Sequence, residues 1–162
     1  MSHEKYMKAA LKEAGKSSKK DEVPVGAVIV HGGKIISRAH NNIINKCDPC
    51  GHAEILAIRK AAKKLSNERL LGCTLYTTLE PCAMCAGAIV HSRIKTLVFG
   101  ADDPKTGACG SAHTVLNSVK NNHQVEIISG ILKEDSSAMI RDFFRNKRSN
   151  KTPDNSRDKN DK

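Results

Sequence analysis

Four residues of this chain have the types and the spacing for metal-assisted hydrolysis. His52 and Glu54 flank Ala53, and Cys82 and Cys85 stand three apart behind Pro81. A catalytic zinc takes three protein ligands and keeps one position open for water, whereas a structural zinc is closed by four. His52, Cys82 and Cys85 make the open set. If Pro81 takes the first position of a helix, where its missing N–H costs nothing, both thiols lie on one face of the first turn. The positive end of that helix and the metal both favour thiolate. Glu54, two residues past His52, can reach the water without being a ligand, and can take and return its protons.

The same residue types also admit plainer structural readings. Cys47 and Cys50 repeat the C-x-x-C spacing, and a closed four-cysteine site would join them to Cys82 and Cys85. The stretch between the pairs holds a whole helix and a strand, and such a site leaves His52 and Glu54 without a part. Cys47 and Cys50 therefore read as loop thiols, Cys73 as a core residue and Cys109 as a loop thiol. His31, His40, His91, His113 and His123 lack ligand spacing and read as ordinary surface or core residues.

The elements that must position the four residues follow from the pattern. Met1 to Lys20 reads as an amphipathic helix, with Tyr6, Ala9, Ala10 and Ala14 on its apolar side, lysines over the rest, and Gly15 and Ser17-Ser18 weakening its far end. Ala27 to Val30 suits a buried strand, His31-Gly32-Gly33-Lys34 a hairpin turn, and Ile35-Ile36 the returning strand. A polar connection from Ala39 to Gly51 delivers His52; a loop this long in a small domain is often functional. A helix over Ala53 to Leu65 would bury Ile55, Leu56, Ile58, Ala62 and Leu65. Cys73 to Leu79 is a strand, Cys82 to Ser92 a helix of small residues, Leu97 to Phe99 a strand. Gly100 to Ser111 is a glycine-rich loop, a helical turn is expected near Val115 to Val119, and Val125 to Ile128 is a fifth strand. Lys133 to Arg148 closes the fold as a helix. Strands alternating with helices predict an α/β fold, a three-layer α/β/α arrangement around a five-stranded mixed sheet. Ligands of such sheets bind at the carboxyl ends of the strands, where His52 and the cysteine pair can meet.

Composition narrows the function classes. The 162 residues suit one domain, with residues 149–162, all polar or basic save a single proline, as a disordered basic C-terminal tail. No apolar run approaches the ~20 residues that span a bilayer, and the polar first residues do not read as a secretion signal. A cytoplasmic protein is expected, so the six cysteines read as metal ligands or free thiols. The formal net charge of +10 suits a polyanionic partner, RNA above all. Three Phe, two Tyr and no Trp give no track for stacking a long strand, which favours one base in one pocket.

The pair His52-Ala53-Glu54 and Pro81-Cys82-Ala83-Met84-Cys85 is the H-x-E…P-C-x-x-C signature of zinc nucleobase deaminases. With Glu22-Val23-Pro24-Val25-Gly26-Ala27-Val28, with Leu75 to Glu80 leading into Pro81, and with Ser92-Arg93-Ile94, Lys105-Thr106-Gly107 and Asp142-Phe143-Phe144-Arg145, the chain resembles the bacterial tRNA-specific adenosine deaminases. The likeness runs from the first helix to Arg148. It implies a cytidine deaminase-like fold over residues 1–148, a homodimer, one zinc ion per subunit, and hydrolytic conversion of adenosine to inosine at the wobble position of a tRNA anticodon, typically an arginine tRNA. It implies that Asn41 holds the flipped nucleoside and that backbone groups of Ala53, Leu79 and Glu80 line the base pocket. Asp103 would stand beside the anticodon nucleotides, and Arg145, Lys147 and Arg148 near the RNA backbone. Cys50-Gly51 departs from the threonine and alanine usual in the family, and Ala112-His113-Thr114 is less apolar than usual there. Two rivals are a zinc deaminase of a free base such as guanine or cytosine, and a non-catalytic RNA-binding or structural zinc module. An assay on free bases against an anticodon stem-loop separates the first rival; intact Glu54 speaks against the second.

Overall fold

Apolar residues at Tyr6, Met7, Ala10 and Ala14 recur every three or four positions and form the inner face of helix α1, His3–Lys19, in the computed structural model, which describes residues 2–151. Gly15 and Ser17 do not fray its end: Ser17 is buried and its hydroxyl donates to the Asn41 carbonyl at 2.9 Å. The chain then enters the hairpin of β1, Gly26–His31, and β2, Lys34–His40. Gly32 and Gly33 turn it with φ of 55° and 74°, a region that favours glycine. Because β2 runs to His40, the connection to His52 begins at Asn41, two residues later than expected.

Helix α2 spans Ala53–Leu65, as the periodicity predicts, but its inner line differs. Ala53, Ala57 and Ala61 are fully buried, while Ile55, Leu56, Ile58, Ala62 and Leu65 are only half-buried. Small side chains let the helix lie close on β1 and β2, so the bulkier ones are displaced to its flanks. The remaining elements are β3, Thr74–Leu79, α3, Ala83–His91, β4, Thr96–Ala101, β5, Glu126–Ile128, and α4, Lys133–Ser149. The expected helical turn near Val115 is a run of plain turns. There the Asn121 side chain donates to the carbonyls of Val115 and Leu116, taking acceptors a helix would use. Ser149 belongs to α4; of the expected tail, residues 152–162 lie outside the described residues.

The sheet order is β2-β1-β3-β4-β5, with β1 antiparallel to both neighbours and β3, β4 and β5 parallel. Strand alternation splits the core in two. Val28, Val30, Tyr76 and Val98 meet Tyr6, Met7 and Ala10 of α1. Ala27, Ile29, Leu75 and Leu97 meet the alanines of α2 and Ala86 and Ile89 of α3. The result is the three-layer α/β/α arrangement around a mixed five-stranded sheet. No helix among the described residues is long and apolar enough to cross a membrane.

Candidate active site

Two helices begin at this site. His52 is the N-cap of α2 and Cys82 the N-cap of α3, both with extended backbone. Pro81 therefore stands before the cap rather than at the first helical position, and Cys85 lies within the first turn. The parallel step from β3 into α3 carries Cys82 to the carboxyl end of the sheet, and the long loop after β2 brings His52 to the same edge. Both helices point their positive ends there.

His52 Nδ1 lies 3.6 Å from Cys82 Sγ and 3.6 Å from Cys85 Sγ. Zinc–nitrogen and zinc–sulfur bonds of about 2.0 and 2.3 Å set at a tetrahedral angle give an edge of about 3.5 Å. The three donors thus fit one tetrahedral metal ion, and among the described residues no other group of three ligands comes together. A hydrogen bond from Cys85, helped by His52, pulls the Cys82 thiol down to about 4. Cys85, which lends that proton and is buried, is pushed up. The hydrogen bond with Cys82 likewise raises His52. A metal ion held by these three residues would take the place of the shared protons.

Glu54 is buried and is not one of these three. Burial pushes its carboxyl above the usual range. Thr77, on β3, donates its hydroxyl to Glu54 Oε1 at 3.2 Å, and Glu54 Oε2 sits 3.6 Å from Cys85 Sγ. The carboxylate is thus held beside the ligands by a strand residue 23 positions away.

His52, Glu54 and Cys82 open into a cavity of about 210 Å³, walled by Asn41, Leu79, Glu80 and Asp103 together with Val23 and Thr106. That is below the roughly 300–1,000 Å³ of drug-sized sites, the scale of a single base. Asn41 Oδ1 accepts the Ala53 N–H at 2.8 Å, so these two expected site residues hold each other and fix the start of α2. Asp103 accepts the N–H groups of Lys105 and Thr106 and the Thr106 hydroxyl, forming a self-capped turn at the rim. Arg145, Lys147 and Arg148 do not line the cavity. They lie along the last turns of α4, with Lys147 bonded to Asp21 at 2.8 Å. Beside the cavity, and sharing Val23 and Ile43 with it, is an apolar groove of about 460 Å³ closed by Ile44, Phe143, Phe144 and Arg148.

Two roles in this site were not foreseen. Thr77 is one. The other is the Glu80 side chain, which accepts from the N–H groups of Asp103, Cys109 and Ser111 and from the Ser111 hydroxyl. A Cβ at Gly107 would run into that carboxylate, which explains the glycine. The only available signal was a glutamate directly ahead of Pro81; its partners lie 23 to 31 residues on. Cys47 and Cys50 are exposed and do not join the ligands. At Gly51 a Cβ would meet the Asn42 carbonyl at 2.6 Å, so an alanine would not fit this loop as it stands.

The chain matches the MafB19-like deaminase family over residues 1–148. It is 51% identical over 148 residues to the tRNA-specific adenosine deaminase of Bacillus subtilis (strain 168), covering 91% of this chain and 92% of that protein. The tRNA-specific adenosine deaminase of Haemophilus influenzae is 51% identical over 149 residues, covering 91% of this chain and 86% of its own. A solved structure from work on A-to-I editing by tRNA deaminases at the wobble position superimposes with a TM-score of 0.81 at 42% identity, over 83% of this chain and 98% of that one.

Proposed function

We infer the chemistry of this cavity from one fact: the chain belongs to the tRNA-specific adenosine deaminases. Its reaction is the hydrolytic deamination of adenosine to inosine at the wobble position of a tRNA anticodon, with water consumed and ammonia released. The metal ion is read as zinc, held by His52, Cys82 and Cys85. Bound there, it would supply a Lewis acid that makes water nucleophilic at neutral pH.

The residues around it divide the remaining work. The wobble nucleoside leaves its stack, which costs little in a loop, and its base enters the cavity. Glu54 takes a proton from the attacking water, passes it to the ring nitrogen, and hands a proton to the departing amine. Its raised pKa suits a group that must be base and then acid. Asn41, with its oxygen committed to Ala53, has its amide nitrogen left for the nucleoside. Leu79 and Glu80 line the base through their backbone, Ala53 anchors that wall, and Asp103 stands at the rim near the flanking nucleotides. Arg145, Lys147 and Arg148 meet the RNA backbone. We read residues 1–148 as the deaminase domain, the chain as a cytoplasmic homodimer, and an arginine tRNA as the substrate.

Within the chain itself, the observation that supports the mechanism is three ligand atoms at tetrahedral spacing beside a buried carboxylate that is not a ligand. Purified protein incubated with total tRNA, followed by inosine mapping, tests the substrate. Glu54→Ala tests the mechanism: turnover should fall by about 10²–10⁴ or more, with metal content by mass spectrometry unchanged. An active, metal-replete variant would overturn the role of Glu54. Strong turnover of free guanine or cytosine with none on RNA would favour the free-base reading.

A further inference from the structure

Helix α1 carries a feature that the cavity does not use. Lys5, Lys8, Lys12, Lys16 and Lys19 follow at steps of three or four residues, and all five are exposed. At 3.6 residues per turn they form one stripe, about 21 Å long. The buried residues Tyr6, Met7, Ala10, Glu13, Ala14 and Ser17 face the opposite way. Like charges at this spacing repel, and a soluble surface is better served by mixed signs. Lys16 is paired with Glu13 at 2.9 Å; no other lysine of the stripe has a carboxylate partner among the described residues. Lys8, Lys12 and Lys16, four residues apart, therefore repel one another, although Lys16 and Lys19 suit the negative end of the helix in its last turn.

The position of the stripe supplies a reason for it. The stripe ends at Lys19 and Lys20, and the chain passes directly through Asp21 and Glu22 into Val23, a wall of the cavity. Asp21 is neutralised by Lys147, and Glu22 is turned inward onto Asn45. Arg148 and Lys151 border the groove next to it. Positive charge thus lies along α1 and again at Arg148 and Lys151, on either side of a trough lined by Asp21, Asp135 and Asp142 in which Lys147 offsets Asp21.

We propose that the lysine stripe of α1 binds the phosphate backbone of the RNA substrate beyond the nucleotides that enter the cavity. This rests on RNA being the substrate, as read above. Ammonium groups on flexible stems are point charges without the planar fork that reads a base, so the contacts position the RNA and do not select its sequence. A membrane surface fits less well. An interfacial helix needs bulky apolar residues facing the bilayer, and here the apolar side of α1 is spent on the sheet.

The test is the combined variant Lys8→Glu/Lys12→Glu/Lys19→Glu, which leaves the Lys16–Glu13 pair intact. A thermal melt checks its fold. Binding and deamination are measured on a full-length tRNA and on a hairpin reduced to the anticodon loop and its closing pairs, from about 50 to 200 mM salt. The expected result is about tenfold weaker binding of full-length tRNA at low salt, with a log–log salt slope shallower by about 2 to 3. The hairpin should be bound and turned over within twofold of the parent, and kcat on both RNAs should hold. Unchanged tRNA binding, or an equal loss on hairpin and tRNA, would overturn the proposal. So would lost binding to phosphatidylserine-containing vesicles with tRNA binding intact. If the parent binds tRNA through the stripe yet deaminates neither RNA, the stripe stands and the reading of the reaction fails.

Discussion

Glu80 shows how much a single side chain organises here. It is 2% exposed, and its two oxygens collect three backbone N–H groups and one hydroxyl from the loop that carries Asp103 and Thr106. Hydrogen bonds to a charged group contribute about 1.5–3 kcal/mol each. Glu80→Gln keeps one oxygen but places an NH2 where donors converge. We expect it to cost about 2–3 kcal/mol in chemical denaturation, and to raise KM for RNA several-fold with metal content unchanged. Unaltered KM and stability would show that the loop holds itself. The contrast with His52, Glu54, Cys82 and Cys85 is instructive. Their chemistry was legible because each pair sits two or three residues apart and the two pairs together make a known signature, although His52 and Cys82 are 30 residues apart in the chain. Glu80 and Thr77 act on partners more than twenty residues away, and no local pattern encodes such pairs.

At the scale of elements, the loop from Asn41 to Gly51 must hold His52 in place without regular structure. Glu22 does part of this. Burial alone would raise its carboxyl, but donation from the Asn45 backbone and side chain and from the N–H groups of Ile43 and Ile44 outweighs burial and leaves it below the usual range. A carboxyl lowered on folding stabilises the fold fully above its unfolded value near pH 4, and that contribution is lost as pH falls through the folded value. Glu22→Gln should therefore flatten the acid limb of a stability–pH curve below about pH 4, with little change in its slope at neutral pH. An unchanged acid limb would place the sensitivity elsewhere. The strands and helices themselves were readable from periodicity, α2 to its first and last residue. Its inner line was not, because hydrophobic pattern ranks isoleucine above alanine while close approach to a sheet selects the reverse.

At the scale of the whole molecule, the proposed homodimer can be tested on one surface. The outer side of α3 carries Gly87 and Ala88, both half-buried, and Met84, 38% exposed. The half-buried apolar flank of the adjacent α2 continues it. A Cβ built at Gly87 meets nothing within 4 Å, so nothing inside one subunit requires glycine there. Mid-helix Gly→Ala is worth up to about 1 kcal/mol in a helix on its own. Gly87→Ala should thus stabilise the chain at dilution; were α3 to pack closely on its symmetry mate, the added methyl would also weaken self-association, about tenfold in sedimentation equilibrium. A variant that is more stable and equally dimeric would move the interface off α3. The outcome bears on catalysis as well, since Cys82 caps α3 and Cys85 lies in its first turn: an interface on its outer side would brace the helix that positions two of the three ligands.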